Sequence, residues 1–244
     1  MLMSAIDGLS APAGYPELAG KRVLITGLSA TMGVDLARAF AEVRARLVLQ
    51  FDETSAEMEA LSAILAQSAL DLAVFGPSER GTEEAVRFAR TAVTRFGGLD
   101  VVINIVPLGG GGVARTMTPA EIETEIAERL LLPCLVSRVA ANRMRVAMID
   151  GLVLNIATLP GTPSAAERAF AGFAKTTLAA VTRREAKEWA DQGIRFNAIA
   201  PDCSGAGGPS SRVSENDISA LALYLASGKG KSLTGHVLDP ELVH

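Results

Sequence analysis

Short continuous apolar runs alternate with longer amphipathic stretches along the chain, beginning near residue 21. The run at 22–26 reads RVLIT and the run at 101–106 reads VVINIV, and such runs of β-branched residues favour strands. The stretch 33–44 instead places Val34, Ala37 and Phe40 on one face at helical spacing. The pattern predicts strands over 22–26, 46–51, 72–75, 101–106, 152–156, 194–199 and 235–238. It predicts helices over 33–44, 55–69, 82–96, 118–146, 165–190 and 218–226.

The predicted strands are apolar throughout, which is typical of parallel strands with helices packed on both faces of the sheet. We therefore predict a single-domain, doubly wound α/β fold with a sheet of about seven parallel strands. Neither a linker nor an internal repeat interrupts the pattern, so we expect one domain over 20–244 after an N-terminal extension, 1–19. At the start of the fourth helix, Thr118 is predicted to be the N-cap, with Glu121 completing a capping box.

Composition narrows the function classes. The chain has 244 residues, 49% hydrophobic, and a net charge of −4, which argues against a nucleic-acid or acidic-membrane partner. Cys134 and Cys203 fit neither a metal-site spacing nor a disulfide framework, so a reducing cytoplasm is expected. The N-terminus lacks the basic region of a signal peptide, and no apolar run approaches the ~18 residues of a membrane span.

A glycine-bearing turn joins the first predicted strand to the first predicted helix. Residues 26–33 read TGLSATMG, with Gly27 and Gly33 near its two ends. Such a turn lets backbone amides and a helix N-terminus hold a pyrophosphate group. A tight turn with close helix–sheet packing needs glycine for its own reasons, so the turn taken alone leaves both interpretations open.

Four further segments extend this signal. They read LDVVIN at 99–104, GLVLNIAT at 151–158, GIRFNAIAP at 193–201, and LYLAS at 223–227 followed by LTG at 233–235. In this order and spacing they resemble the short-chain dehydrogenase/reductase family, near its 3-oxoacyl-[acyl-carrier-protein] reductase-like members, over roughly residues 20–238. The resemblance implies a Rossmann fold and a nicotinamide cofactor, NAD(H) or NADP(H). It also implies a small carbonyl or hydroxyl substrate and a homodimer or homotetramer, with pairing through the two long helices after the fourth and fifth strands.

The resemblance assigns catalytic positions, counted from Lys175, the lysine of the family's Tyr-x-x-x-Lys. The family's serine aligns with Thr158, its tyrosine with Ala171 and, in a less certain register, its asparagine with Arg129. In the family the tyrosine is the proton donor, and alanine has no proton to give. Thr158 can still offer a hydroxyl group, and Lys175 can still bind ribose hydroxyls.

The resemblance likewise implies a set of cofactor-binding residues: Thr26, Gly27, Thr31, Met32, Gly33, Asp52, Asn104, Lys175 and Pro201. Several neighbouring positions depart from the family pattern. Thr31 stands at the middle glycine of the turn, where a β-branched side chain crowds a phosphate. The acid that reads NAD aligns with Phe51, one residue before Asp52, and the absence of an arginine beside it favours NAD over NADP.

Three other departures concern the rim of the expected site. The adenine-contacting aspartate falls at Gly76-Pro77, the family's Pro-Gly pair reads Pro201-Asp202, and the segment at 202–214 is shorter than the family's lid. A short lid excludes water poorly. The segments that resemble the family are those of the scaffold, whereas the departures fall at the acid, the relay, the phosphate turn and the lid.

The leading hypothesis is therefore a non-catalytic or strongly impaired family member that acts as a scaffold, a sensor or the inactive subunit of a hetero-oligomer with an active relative. One alternative is an active NAD(P)-dependent oxidoreductase with another proton donor. The other is a cofactor-independent lyase or dehalogenase-like enzyme, although such family members keep the tyrosine. Simpler interpretations also stand: Arg129 as a solvated helix residue, Lys175 as a surface lysine, Cys203 as an ordinary loop residue without a neighbouring base, and 109–112 as a flexible glycine loop.

Overall fold

The computed structural model describes residues 14–30, 32–77, 81–108, 118–159, 163–200 and 214–239. Seven parallel strands form one sheet in the order β3-β2-β1-β4-β5-β6-β7. The strands are β1 (Arg22–Leu28), β2 (Arg46–Phe51), β3 (Asp71–Phe75), β4 (Val101–Pro107), β5 (Leu152–Thr158), β6 (Arg195–Ile199) and β7 (Val237–Leu238). The predicted doubly wound fold is confirmed.

Helices cover both faces of this sheet. They are α1 (Val34–Glu42), α2 (Ala56–Ser68), α3 (Thr82–Thr94), α4 (Pro119–Ile126), α5 (Leu132–Val146), α6 (Ala165–Trp189) and α7 (Glu215–Ala226). Buried residues of α1, α2 and α7 form the core on one face, and those of α3, α5 and α6 form the core on the other. Tyr15 and Leu18, from the end of the predicted N-terminal extension, are buried in the first of these cores.

The helix predicted over 118–146 is divided. A π-helical turn, Ala127–Leu131, separates α4 from α5. The cause lies in Pro133, which has no N–H to donate and whose ring would collide with the carbonyl of Arg129 four residues earlier. The wider turn accommodates the proline without ending the helical path, and it changes the direction in which Arg129 points.

Three helices that begin at the same end of the sheet start in the same way. Thr118, Ser164 and Ser214 are the N-caps of α4, α6 and α7, and each side chain accepts a hydrogen bond from the amide three residues later. In each case the acid at that third position accepts a hydrogen bond from the N-cap amide in return. The capping box predicted at Thr118 is confirmed, and the other two have the same cause.

A partly buried ion pair ties the start of β1 to the residue before β4. Asp100 accepts from the backbone amide, Nε and Nη2 of Arg22 at 2.9, 2.8 and 3.1 Å, and Lys21 lies 3.7 Å away. Burial raises the pKa of the Asp100 carboxyl, but the hydrogen bonds and charge of Arg22, with that of Lys21, outweigh it and the pKa is lowered overall. The charged carboxylate therefore stabilises the folded state.

Replacing Asp100 with asparagine is expected to reduce the free energy of unfolding by about 1–3 kcal/mol at neutral pH, as measured by urea denaturation. A lowered folded-state pKa gives stability that is present above the unfolded-state pKa and is lost as pH falls through the folded-state value. The gap between the two proteins should thus narrow below pH 3.8, the ordinary aspartate pKa. The exposed Asp71→Asn, at the start of β3, is the control and should change stability by less than about 0.5 kcal/mol; a D100N protein as stable as the wild type would contradict the assignment.

Candidate functional site

The sheet reverses its order between β1 and β4, which creates a crevice beyond the carboxyl ends of these strands. The carboxyl ends of β1, β4 and β5 bring together Thr26, Gly27, Asn104 and Thr158 from the residues predicted for the site. In doubly wound sheets ligands bind at this switch point. The switch point therefore lies beside four of the residues predicted for the site.

A buried polar network lies beneath this crevice. Asn104 Oδ1 accepts from the hydroxyl of Thr26 at 3.0 Å, and Asn104 Nδ2 donates to Asn155 Oδ1 at 2.8 Å and to Ser137 Oγ at 2.9 Å. All four side chains are buried. Asn104 thus joins β1, β4, β5 and α5 with both ends of its amide, a structural role that needs no ligand. Asn155 and Ser137 were not predicted, since the pairing of β4 with β5 brings Asn155, and the packing of α5 brings Ser137, beside Asn104.

Ala171, where the register counted from Lys175 predicts the family's tyrosine, is completely buried. Ala171 has 0% exposure and belongs to a third core cluster at the carboxyl ends of β4 and β5, separate from the two cores on the faces of the sheet. The third cluster consists of Val106, Leu108, Leu130, Ala157, Ala171, Ala174, Leu178 and Ala200. These residues are apolar and fill the space beside α6, so a donor group could not be introduced at Ala171 without moving them.

Thr158 ends β5 next to this cluster. It is 6% exposed, and its hydroxyl oxygen is buried without a hydrogen-bond partner among the described residues. Its backbone carbonyl accepts a hydrogen bond from the amide of Leu108 at 2.7 Å, which extends the pairing of β4 and β5 by one residue. The Thr158 hydroxyl group therefore lies at the carboxyl end of β5 and is shielded from solvent.

Lys175 lies one helical turn beyond Ala171 on α6. Its ammonium group is 3.4 Å from Asp239 Oδ2, directly after β7, and the two side chains are 28% and 15% exposed. The interpretation of Lys175 as an ordinary surface lysine is not supported by this partly buried ion pair. The sequence did not single out Asp239, because 64 residues separate it from its partner.

Arg129 is in the π-helical turn and points back to the sheet. Its Nη1 donates to the carbonyl of Pro107 at 2.6 Å, and its Nε forms an ion pair with Glu125. The Arg129 side chain is only 15% exposed, so the prediction of a solvated helix residue is wrong. The π turn is the reason, because it directs the guanidinium group to the end of β4. There Glu125 of α4 neutralises the charge of the guanidinium group.

Close packing constrains both glycines of the turn between β1 and α1, the nucleotide turn predicted from the sequence. Gly27 and Gly33 have φ of 76° and 84°, in the left-handed region. A Cβ on Gly27 would lie under 3.0 Å from the backbone carbonyl oxygen of Ile105, and one on Gly33 would meet the Ile105 side chain equally closely. Close helix–sheet packing therefore explains both glycines without a ligand.

The amides of this turn already have acceptors within the chain. The Gly27 amide donates to Gln50 Oε1 at 2.9 Å, and the Ala30 amide donates to Glu53 Oε1 at 3.2 Å. The amides of Ser29 and Met32 donate to each other's carbonyls at 3.0 and 3.3 Å. As it stands, the described part of the turn does not offer a pyrophosphate the set of available donors that it would need. Thr31 lies outside the described residues, as do Pro201, Asp202, Cys203 and the glycine loop at 109–112.

At the end of β2 the acidic group is Asp52, while Phe51 is buried in the core. The pKa of the Asp52 carboxyl is raised overall. Partial burial raises it most, the hydrogen bond from Gln50 at 3.4 Å lowers it, and the charge of Glu53 raises it further.

Beyond β3, Gly76 and Pro77 line a shallow pocket with Phe75 and Phe88, whose rings meet edge to face at 5.5 Å between centroids.

Three other kinds of site bear on the function of the described residues: a reactive cysteine, a metal site and a membrane-crossing helix. Burial, and secondarily the charge of Glu185, raises the pKa of the Cys134 thiol to about 11, which disfavours a reactive thiolate. The described residues contain no group of three or more side chains able to hold a metal ion. Among the helices of these same residues, none combines the length and hydropathy of a membrane-crossing segment.

This seven-stranded doubly wound sheet, with its glycine turn and its crevice at the switch point, defines the class of dinucleotide-binding α/β folds. Residues 21–209 match the family described as short chain dehydrogenase. The chain belongs to this family, and the resemblance predicted from its motifs is confirmed.

Individual relatives agree with this assignment. The chain is 30% identical to an uncharacterized oxidoreductase of Mycobacterium bovis over 239 residues, which cover 91% of this chain and 96% of the relative. It is 26% identical to 3beta-hydroxysteroid dehydrogenase 2 of Eggerthella lenta, covering 91% of this chain and 94% of that protein. An NADH-dependent reductase crystallised with NAD superimposes with a TM-score of 0.76 at 25% identity, over 92% of this chain and 96% of the reductase. That reductase thus binds a nicotinamide cofactor on the same fold.

Proposed function

We propose that this chain is a short-chain dehydrogenase family member that keeps the scaffold but does not catalyse the family's carbonyl–alcohol oxidoreduction at a significant rate. The observation that carries the proposal is the complete burial of Ala171 in the apolar third cluster. Loss of a general acid alone costs about 10²- to 10⁴-fold in rate. Here the position is also packed, so water cannot take the place of the missing phenol there.

Two further contacts support the proposal. The ammonium group of Lys175 is paired with Asp239, which competes with the ribose hydroxyls that this lysine would bind. Arg129 is held by Glu125 and by the Pro107 carbonyl, so it takes no part in a relay of water molecules. A scaffold, a small-molecule sensor and the inactive subunit of an oligomer with an active relative all fit such a protein.

The proposal extends to assembly and ligands. Large apolar side chains are exposed on the helices through which pairing is expected, namely Ile122 on α4, Leu131 on the π turn and Phe173 on α6. Burying such residues in a homodimer or homotetramer would remove apolar surface from water. A cytoplasmic protein that binds a small carbonyl or hydroxyl compound, with NAD favoured over NADP where a cofactor binds, completes the proposal.

One observation favours the alternative of an active NAD(P)-dependent oxidoreductase. The buried hydroxyl of Thr158 has no partner among the described residues, and a substrate carbonyl would satisfy it. This enzyme would need a proton donor from another residue or from water.

Steady-state assays separate the two candidates. The purified protein is incubated with NADH or NADPH and a panel of ketones that includes steroid and acyl-thioester substrates, with an active 3-hydroxysteroid dehydrogenase as the positive control. We expect kcat/KM at least about 10²-fold below that control, with no change in Lys175→Ala. Robust turnover that Lys175→Ala abolishes would overturn the proposal in favour of the active enzyme.

A further inference from the structure

Helix α1 begins without a side-chain cap of its own. Its N-cap is Gly33, which has a left-handed backbone and no side chain to accept from the first amides of the helix. Those amides carry the positive end of the helix dipole, which attracts an anion. In a nucleotide-binding turn this anion is the pyrophosphate. Whether an anion can bind there therefore depends on which group of this chain faces these amides.

The group that faces the first amides of α1 is the carboxylate of Glu215, from helix α7. Helix α7 packs against α1, and Glu215 is the first residue of α7. Its Oε1 atom is buried and has no hydrogen-bond partner of normal geometry among the described residues. The backbone amides of Gly33, Asp35 and Val34 lower the pKa of this carboxyl, which puts the carboxylate beside the first amides of α1. A negative group thus already stands at the helix N-terminus where a nucleotide-binding turn would hold a pyrophosphate.

The electrostatic environment of Glu215 agrees with this placement. Burial raises the pKa of its carboxyl most, and the nearby charge of Asp35 raises it further. The amides of Gly33, Asp35 and Val34 lower it, and the pKa is raised overall. Among the described residues, the amides at the start of α1 are therefore the groups that favour the charge of Glu215, against the cost of its burial.

We propose that Glu215 is a built-in occupant of the anion position in the nucleotide turn and that its carboxylate keeps dinucleotides from binding. A pyrophosphate brought to the start of α1 would meet Glu215 and Asp35, two like charges in a partly buried space, and would find the nearby amides of Gly27 and Ala30 bonded to Gln50 and Glu53. This inference concerns binding and does not depend on Ala171 or on the loss of catalysis.

The test is calorimetric titration of NADH, and separately of inorganic pyrophosphate, into the wild type, Glu215→Gln and Glu215→Asp. Glutamine keeps the shape and removes the charge, whereas aspartate keeps the charge and so tests whether altered packing alone has an effect. We expect Glu215→Gln to bind both probes at least roughly tenfold more tightly than the wild type, and Glu215→Asp to bind no more tightly. Glu57→Gln removes an exposed acid from the first turn of α2 and should leave both titrations unchanged.

Equal affinity of the wild type and Glu215→Gln for pyrophosphate would overturn the proposal, whether both bind or neither does. Tighter binding by Glu215→Asp would also overturn it, since packing and not charge would then be the barrier. Circular dichroism and thermal unfolding establish that each variant is folded before it is titrated. Because both probes report binding without turnover, failure here is distinguishable from failure of the proposed function, which the ketone assays report.

Discussion

Replacing Gly27 with alanine is expected to lower the free energy of unfolding by about 3 kcal/mol or more. Part of the loss comes from the left-handed backbone at φ 76°, which costs an L-residue about 1–2 kcal/mol. The rest comes from overpacking, of the order of 1–3 kcal/mol, since the new Cβ would lie under 3.0 Å from the carbonyl oxygen of Ile105. That oxygen belongs to the backbone of β4, which the sheet holds between β1 and β5, so it cannot move aside.

Urea denaturation of the variant beside a matched glycine substitution checks this expectation. Gly172 lies inside α6, and a Cβ there would have no atom within 4 Å. Gly172→Ala should therefore stabilise the protein by about 0.5–1 kcal/mol through helix propensity. A Gly27→Ala protein as stable as the wild type would show that the close approach of β1 to β4 at the nucleotide turn is not required for the fold.

Restoring the family's tyrosine with Ala171→Tyr is expected to destabilise the protein and not to restore activity. The ring would have to enter the third cluster, where Ala171 has no exposed surface, and overpacking of a core costs typically about 1–3 kcal/mol or more. Even a folded variant would keep Lys175 paired with Asp239 and Glu215 at the start of α1. We therefore expect no ketone reduction above that of the wild type.

The comparison for this variant is Ala169→Tyr, which adds the same side chain two residues earlier on α6 at an exposed position. Its free energy of unfolding should differ from the wild type by less than about 0.5 kcal/mol, as is usual for surface substitutions. If Ala171→Tyr proved as stable as Ala169→Tyr and reduced ketones with NADH, the cluster around Ala171 would be an open pocket and the catalytic defect would reside in one missing phenol.

The scaffold was predictable because it depends on local pattern. The apolar run at 101–106 could be buried on both faces only as an inner parallel strand, and the Thr118 box determined where α4 begins. The π turn has a local cause in Pro133, yet the periodicity of apolar residues across it remained helical. The prediction that Ala171 replaces the family's tyrosine also needed only the local spacing from Lys175.

The unpredicted part of the site consists of contacts between residues far apart in sequence. Asp239 reaches Lys175, and Glu215 reaches the start of α1, only after the sheet has brought their elements together. The complete burial of Ala171 depends in the same way on residues from β4, β5 and the π turn. Which donors are satisfied and which space is filled are properties of the assembled structure, and no periodicity in the sequence encodes them.

The reciprocal caps of α4, α6 and α7 affect how the chain segments ahead of these helices can change in evolution. Because Thr118, Ser164 and Ser214 each determine a helix start together with an acid three residues later, the helices do not depend on the preceding chain for their first hydrogen bonds. Insertions, deletions or grafted peptides ahead of these caps can alter what the crevice recognises while the helices stay in place. A protein engineer could therefore exchange the segments ahead of these three caps without redesigning the scaffold.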